Sequence, residues 1–217
     1  MKFIDIHTHN LLKTGFSLIN IFPEDVEKIK NDKFYSVGIH PWNVSKVNLE
    51  KQLSIVKKSA SLKNVLAVGE IGADKLHPDF ILQKEVFVKQ LNIAKQLKKP
   101  AIIHCVKAYS DLLEILKKEK PEIPVIIHRY SGNSTTAGEL LKFNCYFSFG
   151  HELFNEKSKV PKVFKKIPLE TVFLETDDAA KDIKEIYMKA AELKEISLEK
   201  IKLTIFENFQ KCFKINA

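Results

Sequence analysis

The chain has 217 residues, 45% of them hydrophobic, with 35 Lys and Arg against 27 Asp and Glu, a net charge of +8. That is ample apolar material for one large core, and the length suits an α/β barrel built as a single unit. No apolar run approaches the roughly 20 residues that a membrane-spanning helix needs, and the three scattered cysteines, in no CxxC pair, argue against a disulfide framework or a thiolate zinc site.

The chain enters an apolar stretch at once, so no leader peptide is expected. The expected compartment is the cytoplasm, with Cys105, Cys145 and Cys212 buried and reduced. Nearly all the positive charge is lysine, spread through helical segments as at Lys57 and Lys58 or Lys98 and Lys99. Solvated outer faces account for that pattern as well as a nucleic-acid stripe does. Arg129 is the sole arginine.

In chain order, residues 2–6 form the first predicted strand, leading into His7 and His9. Strand alternation puts Asp5, His7 and His9 on one face. Residues 16–22 make a second strand. Pro23-Glu24-Asp25 then reads as a helical first turn, with proline preset and acids at the positive end. The third strand, 34–39, ends in GIHPW and delivers His40 and Trp42. The fourth, 65–70, ends in AVGEIG and delivers Glu70. Phe87, Leu91 and Ala94 follow as a helical stripe.

The fifth strand, 101–105, delivers His104 and turns Cys105 to the other face. Leu112, Ile115 and Leu116 form the next stripe. The sixth strand, 125–128, ends in IIHRYSG and delivers His128 and Arg129, while 135–142 is brief for a barrel helix. The seventh strand is 145–149. The eighth, 171–175, ends in FLETDD, where only one of Asp177 and Asp178 can continue the inward face of a regular strand. Leu198, Ile201, Ile205 and Phe209 line a closing helix. Near-continuous apolar strands imply a parallel sheet buried on both faces. Eight alternations of strand and helix predict a compact (β/α)8 TIM-type barrel, with residues 1–217 as a single domain.

In such a barrel, chemistry collects at the C-terminal ends of the strands. Five of the seven histidines fall there, and scattered structural histidines would not sort this way. Imidazole together with carboxylate suits a transition-metal site. Two ions roughly 3.5–4 Å apart can clamp attacking and leaving oxygens in a hydrolysis, and a neighbouring aspartate can take the proton of the attacking water.

DIHTH, GIHP, VGEIGAD, PAIIHC, IIHRYSG, LETD and ENFQKCF, in that order, resemble the TatD-like metal-dependent deoxyribonucleases of the amidohydrolase superfamily over almost the whole chain. The resemblance implies a catalytic set of Asp177, Glu70 and His40. His7, His9 and Asp177 would hold one divalent ion and His104 and His128 the other, with Glu70 bridging both. The ions would be zinc, manganese or magnesium. His40 would bind the phosphate or aid the leaving group. The implied activity is phosphodiester hydrolysis of the 3'-5' exonuclease type by a bridging hydroxide, on DNA or a small phosphodiester. No membrane and no obligate protein partner are implied.

Three motifs depart from the family pattern. GEIGADK replaces GEIGLD-aromatic, and HRYSG replaces HCFSG. ETDDAAKDIKEIY lacks the usual proline and long loop, which opens the site to smaller phosphorylated substrates. Arg129 either contacts phosphate or turns into the barrel wall. Trp42 either stacks on a base or packs over the rim. Ser131, in the turn 131–134, can offer a backbone N–H to phosphate, and Glu175 can orient a ligating imidazole. His77 reads as an exposed loop residue, and His151 can reach the site mouth. Two alternative readings remain: hydrolysis of a lactone, amide or carboxylic ester, and a non-catalytic protein that binds metal and nucleic acid.

Overall fold

The computed structural model describes residues 2–10 and 15–214. Its centre is one eight-stranded sheet: β1 (Ile4–Thr8), β2 (Phe16–Ile21), β3 (Phe34–Val37), β4 (Val65–Asp74), β5 (Ala101–Val106), β6 (Val125–Ile127), β7 (Cys145–Phe149) and β8 (Val172–Leu174). The strands lie in sequence order, and each pairs in parallel with the next. A single bridge, Thr8 to Asp177, nearly closes the ring. There the Asp177 N–H donates to the His7 carbonyl at 2.9 Å and the His9 N–H to the Asp177 carbonyl at 3.1 Å.

Among the described residues, seven α-helices wrap this barrel: α1 (Leu49–Ala60), α2 (Phe80–Leu97), α3 (Tyr109–Glu119), α4 (Ser134–Leu140), α5 (Val160–Lys166), α6 (Ile183–Lys194) and α7 (Leu198–Phe213). Their starts follow local chemistry. Asn133, Asp182 and Ser197 each accept a hydrogen bond from a first-turn N–H, of Thr136, Lys184 and Lys200 respectively, satisfying a donor that the helix leaves orphaned. The predicted stripes face inward: Phe87, Leu91 and Ala94 on α2, and Ile201, Ile205 and Phe209 on α7, are buried. Each large side chain so buried stabilises the fold by roughly 1.5–3 kcal/mol.

The alternation is less regular than the sequence predicts. The segment after β2 is a 3-10 helix, Pro23–Lys28, and not an α-helix. No helix separates β1 from β2 among the described residues. β4 continues four residues beyond Glu70, as far as Asp74, so one strand carries two carboxylates to the rim. No helix among the described residues is long and apolar enough to cross a membrane.

Candidate metal centre

Glu70 stands in the middle of the site, 3% exposed, and its two oxygens face different partners. Oε2 lies 3.4 Å from His7 Nε2 and 4.0 Å from His9 Nε2. Asp177 completes that side, with Oδ1 3.5 Å from His7 Nε2 and 3.4 Å from His9 Nε2. Oε1 lies 2.6 Å from His104 Nδ1, 2.6 Å from His128 Nε2 and 3.2 Å from His40 Nε2. All six candidate ligands and His40 therefore converge. Asp178 does not, because its side chain is 74% exposed.

These atoms fit divalent cations. Donors 2.0–2.1 Å from a tetrahedral ion lie roughly 3.3 Å apart, close to the spacings between His7, His9, Glu70 and Asp177. On the other side, three ring nitrogens within 3.2 Å crowd one oxygen that has two lone pairs to offer. Both nitrogens of His7, Nε2 of His104 and Nδ1 of His128 are buried without a hydrogen-bond partner, a costly state that a ligand relieves. Three groups of potential ligands satisfy these spacings: His7, His128 and Asp177; His7, His9 and Glu70; His40, Glu70 and His104.

The surrounding carboxylates orient the rings. His104 turns Nε2 toward Asp74 Oδ2 at 3.5 Å, and His128 turns Nδ1 toward Glu175 Oε1 at 3.6 Å. That leaves the opposite nitrogen of each ring toward Glu70, the arrangement usual for ligating histidines. Both oxygens of Glu175 are otherwise engaged, by the Arg129 N–H and by Ser148 Oγ, each at 2.6 Å. The Trp42 backbone N–H donates to His40 Nδ1 at 3.2 Å. The proton of neutral His40 is thereby assigned to Nε2, which makes it a donor toward Glu70.

Burial opposes charge at His7, Glu70 and Asp177, yet their partners prevail. Despite its burial, His7 is raised to about 9 by the carboxylates of Asp177 and Glu70 facing Nε2. Against its own burial, Glu70 is held well below the usual carboxylate range by His128, His104 and His40. His7 and His9 do the same for Asp177. His40 moves the other way: burial dominates and lowers it, favouring the neutral ring.

Arg129 does not turn into the wall. It adopts a left-handed φ of 43° and reaches back over the site, donating from Nε to Glu152 Oε1 at 2.6 Å and from Nη1 to Asp177 Oδ2 at 2.7 Å. The Asp177 carboxylate is thus shared, with one oxygen toward the imidazoles and the other on Arg129. Trp42, Arg129, Ser131 and Glu152 line the same cavity, of about 650 Å³, as Glu70, His104 and Asp177. The Ser131 N–H already donates to the Tyr109 hydroxyl at 3.1 Å. His77 is not a free loop residue, because it stacks on Trp42. His151 is not among the residues lining the cavity. Cys105 is buried, which pushes its thiol up to about 12, and it belongs to none of the three groups of potential ligands.

Residues 7–214 match the family model of TatD-related DNases. The uncharacterized metal-dependent hydrolase YabD of Bacillus subtilis is 33% identical over 202 residues, covering 84% of this chain and 78% of its own. The human 3'-5' RNA nuclease TATDN2 is 31% identical over 159 residues, covering 70% of this chain and 21% of its own length. Among solved structures, the Escherichia coli TatD homologue YJJV superposes with a TM-score of 0.85 at 22% identity, covering 99% of this chain and 98% of that one. The strand ends of this barrel gather five imidazoles around one buried glutamate and an aspartate, and by its sequence match the chain belongs to the TatD-related DNase family of metal-dependent hydrolases.

Proposed function

We propose that the chain hydrolyses phosphodiester bonds, in DNA or a small phosphodiester, as a 3'-5' exonuclease-type enzyme with two divalent ions. The observation that carries this reading is the two-sided Glu70, one oxygen toward His7 and His9 and the other toward His104 and His128. His7, His9 and Asp177 would hold one ion and His104 and His128 the other, with Glu70 shared. Zinc, manganese or magnesium bound there would supply Lewis-acid stabilisation of the phosphoryl oxygens and acidify the attacking water.

The chain's own residues do the rest. Asp177, kept ionised, accepts the proton of the water, and Arg129 fixes that carboxylate through Oδ2. His40, neutral and protonated on Nε2, donates to the phosphate or to the departing oxygen. Arg129 and Ser131 border the cavity where the diester lies. The chain reads as one domain working in the cytoplasm, where three free, buried thiols stay reduced.

Protein stripped of metal and reloaded with each divalent ion should cleave bis-p-nitrophenyl phosphate and single-stranded DNA. Asp177→Ala should lower kcat at least about 10³-fold, the scale of a lost positioned base. Metal-replete protein that cleaves a lactone or carboxylic ester but no phosphodiester would refute the assignment. Salt-dependent DNA binding without cleavage under any ion would refute it equally.

A further inference from the structure

Trp42 is the chain's one tryptophan and is 54% exposed, whereas Phe147 and Phe173 are fully buried. Leaving an indole in solvent forgoes the burial that makes aromatic rings stabilising. The ring is nevertheless held in place. Its Nε1–H donates to Asp74 Oδ2 at 2.8 Å. His77 backs it in a near-parallel stack, centroids 4.4 Å apart and planes 18° from parallel. His40 and His104 meet it edge-on, with planes at 86° and 77°. The indole is thereby fixed on the wall of the cavity that contains Glu70, next to the ring of His104.

We propose that Trp42, backed by His77, is a stacking platform for the nucleobase beside the scissile phosphate, which makes nucleotides the substrate class in preference to small phosphoesters. The proposal rests on the phosphodiesterase reading above. Every base has a π-face, so a platform of this kind accepts any base. A ring already immobilised by Asp74 and His77 loses little freedom when the ligand arrives. Asp74 links the two functions, since the carboxylate that holds the indole also faces His104.

Because there is one tryptophan, its emission reports on this position alone. The full-length protein with magnesium is titrated with thymidine 5′-monophosphate and, separately, with ribose 5-phosphate, exciting at the red edge of indole absorption where thymine is transparent. The nucleotide should quench the emission and the sugar phosphate should not. In turnover, kcat/KM for a dinucleotide relative to its abasic counterpart should fall about 5–150-fold in Trp42→Ala, the equivalent of losing one base stack. Trp42→Phe should restore most of that ratio, and His77→Ala, which keeps the reporter, should lower it less. Equal quenching by both ligands, quenching by neither up to millimolar concentration, or an unchanged ratio in Trp42→Ala would overturn the platform. Base-selective quenching in a protein that cleaves no phosphodiester would support the platform and sink the hydrolytic reading instead.

Discussion

Asp5 lies two positions before His7 and is fully buried. Its carboxylate accepts from the Thr176 N–H at 3.0 Å and from Thr176 Oγ1 at 2.6 Å, tying β1 to the segment that carries Asp177. Burial pushes its carboxyl up to about 7 from 3.8. Between those values the folded chain holds a proton that the unfolded chain has lost, so the Asp5 contribution to stability is full below about pH 4, declines as pH rises, and levels off above about pH 7. Asp5→Asn removes that titration. Over the same window its stability should rise relative to wild type by on the order of 3–4 kcal/mol. Urea denaturation at several pH values checks this, and parallel wild-type and variant profiles would contradict it. Most ligand-capable positions were legible in the sequence because each follows an apolar run that had to be a strand. Asp74 and Glu152 were not. Asp74 is recognisable as structural only beside Trp42, 32 residues away, and Glu152 gives no periodic signal. The direction of Arg129 depends on a left-handed φ that strand alternation does not anticipate.

β4 shows how an element brings functional groups to the rim. Gly72, at φ 143°, lets the strand pass the His104 backbone so closely that a Cβ there would collide with the His104 carbonyl oxygen. Glycine alone adopts that φ at low cost. Gly72→Ala should therefore destabilise the fold by roughly 1–3 kcal/mol and weaken zinc binding by displacing His104. Denaturation and isothermal titration with zinc measure the two effects. An alanine variant with unchanged stability and affinity would show that the approach is not constraining. The far end of this strand is where sequence reading falls short. β7 is found at its predicted bounds, whereas β4 runs four residues past them, because pairing with β5 continues to Asp74 and Val106 after the apolar run has stopped. The segment from Pro23 has acids and proline suited to a helix start, yet only six residues before the backbone turns extended at Ile29, too few for a stable α-helix.

At the scale of the molecule, a body of net charge +8 surrounds a cavity lined by Glu70, Glu152, Asp177 and Asp178. An ion that binds this folded arrangement but not the open chain stabilises it by mass action. At a free concentration 100-fold above Kd the gain is about 2.7 kcal/mol, or roughly 5–11 °C in Tm for a chain of this size. Zinc, manganese or magnesium should produce such a shift, a chelator should reverse it, and Asp177→Asn should blunt it. Absence of a shift with all three ions would remove the metal centre from consideration. The bridge between Thr8 and Asp177 also has a consequence for biosynthesis. A ribosome that has released Thr8 must add 169 more residues before Asp177 exists to pair with it. The side of the cluster built on His7, His9 and Asp177 is thus incomplete in any nascent chain halted before the segment that follows its eighth strand, whereas Glu70, His104 and His128 can already have met.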